Sequence, residues 1–301
     1  MFKINNITNY LKYVFIALLA VIATQAIALD ENAMIEKMRA LDWQTSSGKY
    51  SLTGTGASVI TSIEEYLIKG EQAHKYVHIS EGHGAFKPDA VVVRVQGPSL
   101  DTQVFYKFHE IGFIEMDDWA EHIDKDALIT EIKSGAEEIN RIKEKEGYPT
   151  LYVDDWVQEP YLDERNATVY WAISVHDSNG GSVVNAKAIK LGKKGFTEIV
   201  WMGTPAQFTD ARASLSPALA AYQYDEGLKY ADFVSGTDTV AAVGVGALAY
   251  KLITGKAKKS SVGLLAFFAI FAKKLWFLIF IPFLFFWKRV KGFFFMRGNQ
   301  K

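Results

Sequence analysis

Apolar and polar positions repeat along this chain with two different periods, and each period marks a kind of element. In residues 167–177, ATVYWAISVHD, Val169, Trp171, Ile173 and Val175 alternate with Tyr170, Ala172, Ser174 and His176. A period of two is that of a strand with one face turned to a core. The SNGG that follows is a hairpin-type turn, and SVVNAKAIKLG runs back. KKG turns again into FTEIVWMGT. The pattern predicts an antiparallel meander. Upstream, AVVVRVQ and QVFYKFHEIGFI read as strands, with shorter ones at Tyr50–Leu52 and Ala57–Ile60.

Helical spacing appears in ENAMIEKMRALDWQT, where Met34, Ile35, Met38 and Leu41 share a face. It is longer in residues 117–147, where Leu128, Ile132, Ala136, Ile139 and Ile142 form one stripe. Asp124 is the expected N-cap there, and Gly147 with Pro149 the stop. Residues 205–233 close the region with a helix and a short extended piece. The expected fold class is α+β: an antiparallel β-meander with packed helices, over residues 29–235.

Both ends of the chain are continuously apolar instead. Lys3 and Lys12 precede a run from Tyr13 to Ala23 that ends in Ala26-Ile27-Ala28. That is the pattern of a secretory signal over residues 1–28, cleaved after Ala28. An uncleaved N-terminal anchor is the alternative, and either places the folded domain outside the cytoplasm. Residues 236–301 read as a membrane-anchor region with its main span at about 273–287. Leu275–Trp287 extends only about 20 Å against a hydrocarbon core of about 30 Å. Extending back to Gly263 puts Lys273 and Lys274 near the centre, where two lysines cost about 5–7 kcal/mol. Starting the helix at Lys273 lets them reach the outer headgroups. Residues 239–255 are a second candidate segment, with Ala242 and Gly246 as a small-xxx-small packing pair. The expected location is the cytoplasmic (inner) membrane, with the main domain extracytoplasmic and the C-terminus cytoplasmic.

Charge sharpens this division. The formal net charge is −1, but all 34 acidic residues lie between Asp30 and Asp238, against 20 Lys and Arg there, a local net of −14. Residues 239–301 hold 11 basic residues and no acidic one. An acidic body repels nucleic-acid phosphate. A basic, apolar tail suits membrane lipid and a membrane-protein partner. There is no cysteine, which removes disulfides, thiolate metal sites and thiol catalysis.

Candidate chemistry is sparse. In EQAHKYVHISEGH, His74 and His78 are four apart and share a face if helical, with Glu81 and His83 close by as further metal ligands. Helix-start carboxylates account as well for Asp117, Asp118, Glu121, Asp124 and Asp126 beside His122, since they complement the N-terminal dipole. Asp154, Asp155, Glu159, Asp163 and Glu164 surround Trp156 and Tyr161, a composition that a glycosidase uses, although Trp156 and Trp171 also read as packing residues. No nucleophile elbow, Walker loop or dinucleotide fingerprint is present. No catalytic residue and no cofactor is assigned.

The stretches WVQEPYLDERNATVYWA, VVNAKAIKLGKKG and YADFVSGTDTVAAVGVGALAYKL resemble an uncharacterised bacterial family of predicted membrane-anchored proteins carrying a domain of unknown function. The matching positions are Trp156, Pro160, Tyr161, Asp163, Trp171, Ala172, Asn185, Leu191, Gly192, Gly195, Tyr230, Asp232, Phe233 and Asp238. Asp155, Ala186 and Lys193 or Lys194 depart from its pattern. The resemblance implies an export signal, an extracytoplasmic α+β domain and a C-terminal anchor, and it implies no reaction. Together these readings point to a noncatalytic interaction or accessory subunit of a membrane assembly. The alternative is an envelope hydrolase or metal-binding sensor using the His74/His78 or Trp156 region.

Overall fold

The computed structural model describes residues 36–81, 86–96, 99–146, 150–178 and 180–255. Among the described residues, a helical piece at 36–39 precedes ten strands and five further helices. They are β1 (Gly48–Leu52), β2 (Ala57–Thr61), β3 (Glu65–Lys69), α1 (Glu71–Glu81), β4 (Ala90–Gln96), β5 (Ser99–Glu110), α2 (Trp119–His122) and α3 (Lys125–Glu146). Then come β6 (Leu151–Asp163), β7 (Thr168–Asp177), β8 (Ser182–Gly192), β9 (Gly195–Gly203), α4 (Ala211–Ala221), β10 (Tyr222–Tyr224) and α5 (Val245–Thr254).

Seven strands form one antiparallel sheet in the order β3-β4-β5-β9-β8-β7-β6, and β1-β2-β10 form a second, small sheet. The expected α+β class and the β7-β8-β9 meander are both present. The alternation in β7 sorts its residues onto two cores. Val169, Trp171, Ile173 and Val175 join one, with Tyr76 and Val77 of α1, Leu128 and Ile132 of α3, and Val245, Leu248, Ala249, Leu252 and Ile253 of α5. Tyr170 and Ala172 join the other, with Val59 of β2, Ala211, Leu215 and Ala218 of α4, and Tyr222 of β10. The large sheet therefore lies between a layer of helices and a layer made of the small sheet and α4. Its central strands are buried on both faces, and every residue of β9 is buried.

Several elements depart from the sequence reading. Residues 117–147 are two helices. Asp124 caps the second, its Oδ1 accepting from the amides of Asp126 and Ala127 at 3.1 Å. Asp118 does not serve its own helix: no cap bond forms on α2. Its carboxylate instead accepts from Gly246 N at 2.7 Å and Ala247 N at 3.1 Å, at the start of α5. Strands β3 and β6 are additions to the sequence reading.

The folded body runs to Gly255 and does not end at residue 235. Residues 239–245 lie beside 113–118, with Phe113 N donating to Thr239 O, Ala241 N to Phe113 O and Val245 N to Glu115 O. Helix α5, inside the candidate second membrane segment, contributes five residues to the core. A Cβ on Gly246 would stand 2.5 Å from the Asp118 carbonyl oxygen, so this small residue admits the backbone of a neighbouring loop. Ala242 is exposed. Among the described residues, no helix is long and apolar enough to cross a membrane. The signal segment 1–28 and the main span 273–287 lie outside the described residues.

Candidate functional site

The positions singled out from sequence gather in three places. The first is β6, an edge strand of the large sheet. Its 13 residues oppose only 10 on β7, and the register shifts three times, between Val153 and Trp156, Trp156 and Gln158, and Gln158 and Tyr161. Pro160, lacking an N–H, sits in the last shifted stretch, as prolines in sheets do. Each bulge turns successive side chains off a strict alternation. Val157 and Tyr161 are consequently 42% and 51% exposed, and Tyr152, ahead of the first shift on this edge strand, is 43% exposed. Trp156 is half-buried against the core and donates its Nε1 proton to Lys125 O at 3.1 Å. It thus packs, as one of its two readings had it, and so does Trp171, which is 2% exposed.

The acids of this strip are mostly engaged. The Asp154 carboxylate takes His176 Nδ1 at 2.5 Å and the Ser174 hydroxyl at 2.9 Å, while the Tyr152 ring stacks on the imidazole at 5.1 Å. Ser174 gives its proton to the carboxylate and not to the imidazole, so the trio is not a nucleophile–base relay. Glu159 pairs with Lys125 at 2.7 Å. Asp163 accepts from Asn166 N and Nδ2, and the Asn166 side-chain bond leads in holding its pKa below the usual carboxylate value. Asp155 accepts from the amide of Trp156 at 2.8 Å.

The second place is the β8–β9 hairpin. Gly195 lies so close to β5 that a Cβ there would be 2.0 Å from His109 O, and a Cβ on Gly192 would meet the Tyr224 ring at 2.7 Å. Leu191 and Phe196 enter the core beside it. Lys193 pairs with Asp238 at 3.1 Å, and Asp238 also accepts from Val234 N at 2.7 Å. That backbone bond leads in lowering the Asp238 pKa. Asp232 closes a turn on Lys229 N. Phe113 stacks on Tyr230 and Phe233, at 4.5 and 3.8 Å, and the Tyr230 hydroxyl donates to Ile114 O. Thr55, Phe108, Glu110, Lys194, Tyr224 and Leu228 line a cleft of about 100 Å³ nearby. Pockets for drug-sized ligands run about 300–1,000 Å³.

The third place was not read from sequence. Lys187 on β8 and Glu198 on β9 are both buried and paired at 2.7 Å, with His109 Nε2 3.6 Å from the same carboxylate. Burial opposes ionisation of Glu198, but Lys187 and His109 outweigh it and hold the pKa well below the ordinary value. Burial lowers the pKa of Lys187. Their alternation hides them: Lys187 and Glu198 occupy inward positions of strands whose buried residues, Asn185 and Thr197 aside, are apolar. Asn185, two residues from Lys187, is 1% exposed, and its Nδ2 meets no hydrogen-bond acceptor. Ala186 faces the other core.

His74 and His78 do lie on one helix, α1, with His74 Nδ1 3.3 Å from Glu71. His83 lies outside the described residues. Among the described residues, no group of three His, Cys, Asp or Glu side chains could hold a metal ion. His122 Nε2 stands 3.5 Å from Asp118, beside the cap of α5, and Asp117, Glu121 and Asp126 form no further cluster with it.

A family model described as "Protein of unknown function (DUF2167)" matches residues 44–284. The chain belongs to this family. The DUF2167 match begins just before β1, takes in both sheets and α1 to α5, and continues past α5. A solved structure similar to this DUF2167 chain is that of cyanobacterial PsbP (CyanoP) from Synechocystis sp. PCC 6803, at 12% identity and a TM-score of 0.33, covering 60% of this chain and 94% of that one. A comparison with curated proteins finds no match.

Proposed function

We propose that this chain is a noncatalytic accessory subunit. Its folded body stands on the extracytoplasmic side of the cytoplasmic membrane. The tail beyond Gly255, with its main span at about 273–287, tethers it to lipid and to a membrane-protein partner. The observation that carries this reading is the use made of the chain's most suggestive polar residues. Asp118, Asp124, Asp163, Asp232 and Asp238 all accept from backbone amides, and Trp156 donates to a backbone carbonyl. A carboxylate that caps a helix or turn has its oxygens committed to the backbone, the opposite of a group free to meet a substrate. The body supports attachment as well: its last helix, α5, is part of the core and leads directly into the basic, apolar residues.

In-cell crosslinking of the tagged full-length protein, followed by purification in mild detergent, tests the reading. The control is the same body fused to an unrelated single span. A stoichiometric membrane partner that the control loses is the expected result. Turnover of a substrate by the purified protein, or no partner in either sample, overturns it.

A further inference from the structure

The cleft of about 100 Å³ lies where the small sheet meets the large one. Its walls come from the turn between β1 and β2, the end of β5, the turn between β8 and β9, and residues 224–228. Main-chain bonds tie these walls together. Gly56 O accepts from Asp225 N at 2.9 Å, and Leu228 O from Lys193 N at 3.0 Å. Lys194 O accepts from Ile111 N at 3.1 Å and from Gly112 N at 3.0 Å. A Cβ on Gly56 would stand 2.4 Å from Leu228 Cδ1, so glycine there lets the leucine keep its place in the wall. A cleft framed by bonded backbone is formed before a ligand arrives. One water takes about 30 Å³ in the liquid, so this volume admits a molecule of a handful of non-hydrogen atoms.

The polar groups of the lining divide into two kinds. The Thr55 hydroxyl donates to Leu52 O at 2.9 Å. The Tyr224 hydroxyl donates to Lys190 O at 2.8 Å and meets the Thr197 hydroxyl at 2.9 Å. These two are committed to the fold. Glu110 and Lys194 are exposed, and among the described residues neither side chain has a hydrogen-bond or ion-pair partner. They stand on neighbouring strands, since Glu110 pairs with Gly195, the residue after Lys194. The rest of the lining is apolar: Phe108 meets the Tyr224 ring edge-on at 6.3 Å, and Leu228 packs on the same core.

A carboxylate offers acceptors to an ammonium, and a lysine donates to a carboxylate. Opposite charges with no partners of their own, at one small and partly apolar cleft, match a ligand that carries both. An ion of one charge meets a repelling group beside the attracting one, so the same two residues select against it. We infer that this cleft binds a small zwitterion, an α-amino acid with a short side chain, its ammonium on Glu110, its carboxylate on Lys194 and its side chain against Phe108 and Leu228. The inference concerns binding alone and goes beyond the accessory-subunit reading.

The full-length protein in mild detergent is dialysed to equilibrium against radiolabelled L-alanine. Unlabelled glycine, acetate, methylamine and L-tryptophan are the competitors. The expected result is saturable binding at one site, displaced by glycine and not by the other three at equal concentration. Glu110→Gln and Lys194→Met each weaken it at least fivefold; both positions are exposed, so the fold tolerates the change. Glu138→Gln, at an exposed acid of α3 in the opposite layer, leaves it unchanged. The inference is overturned by no saturable binding of L-alanine, by displacement with acetate or methylamine as effective as with glycine, or by binding that survives both cleft substitutions. Any of these leaves the accessory-subunit reading to the crosslinking experiment above, which tests it separately.

Discussion

Replacing Asp118 with Ala removes the N-terminal support of a helix 128 residues away in sequence. Both carboxylate oxygens are used, one on Gly246 N at 2.7 Å and one on Ala247 N at 3.1 Å. Losing an N-cap costs about 1–2 kcal/mol. The negative charge at the helix start adds about 0.3–1 kcal/mol. Because α5 is buried in the core, the freed amides find water less easily, and an unsatisfied amide costs about 1–3 kcal/mol. These overlap, and the expected loss is about 2–4 kcal/mol. For a body of this size each kcal/mol shifts Tm by about 2–4 °C, so the midpoint falls by about 5–15 °C. Thermal unfolding followed by tryptophan fluorescence gives the number, with Asp117→Ala, an exposed neighbour, as the matched control. Hydrogen exchange at Gly246 and Ala247 gives the location. Asp118→Asn keeps an acceptor and loses the charge, so its midpoint lies between those of the wild type and Asp118→Ala. An Asp118→Ala protein within about 0.5 kcal/mol of Asp117→Ala, the usual range for surface changes, refutes the argument that this carboxylate holds α5.

Three further outcomes follow from the same structure. Gly195→Ala drives a methyl to 2.0 Å from His109 O and separates β9 from β5, costing about 3 kcal/mol; denaturant unfolding measures it, and a loss below about 1 kcal/mol contradicts the contact. Lys187→Met strands a buried carboxylate and costs about 3–5 kcal/mol, whereas Lys187→Met with Glu198→Leu recovers most of that loss; a double variant as unstable as the single one rejects the pairing argument. The Glu198 pKa is lowered on folding from 4.5, so between the two values the unfolded chain binds the extra proton. Its stabilisation is complete above pH 4.5 and is lost as the pH falls through the folded value. Urea midpoints taken from pH 6 to pH 3 should decline less in Glu198→Gln than in the wild type, relative to each at pH 6.

The parts of this fold that could be read from sequence are those where one periodicity holds over a whole element. β7 alternates without interruption, and the α3 stripe through Leu128 and Ile132 is regular, so both were legible. β6 was not, because three bulges break its alternation and its charges resemble those of a loop. Asp118 looked like a local cap because sequence shows only local neighbours; its true partners are brought in by the segment 239–245. Helix α5 is apolar apart from Tyr250, Lys251 and Thr254, a composition shared by membrane spans and by helices sunk in a core. Its 10 residues, too few to cross a bilayer, fit the second case. The Lys187–Glu198 pair stands at inward strand positions, where only the cross-strand register reveals that one charge answers the other. Among the motif residues, Gly192 and Gly195 owe their identity to close backbone and ring approaches that no periodicity encodes.

Helix α5 also sets an order of events. The helical face of the large sheet is complete only when residues 245–253 have joined it, yet all the strands of that sheet end by Gly203. A chain emerging from its N-terminus has therefore built every strand of the sheet before its last covering helix is made. During that interval the apolar positions that meet Val245, Leu248 and Ile253 lie open to any other apolar surface. Sealing them falls to the stretch immediately ahead of the basic tail, so completion of the fold and arrival of the tail are nearly simultaneous. A fragment ended at residue 235 keeps the gap permanently and has the exposed face of a molecule made to aggregate or to recruit a chaperone.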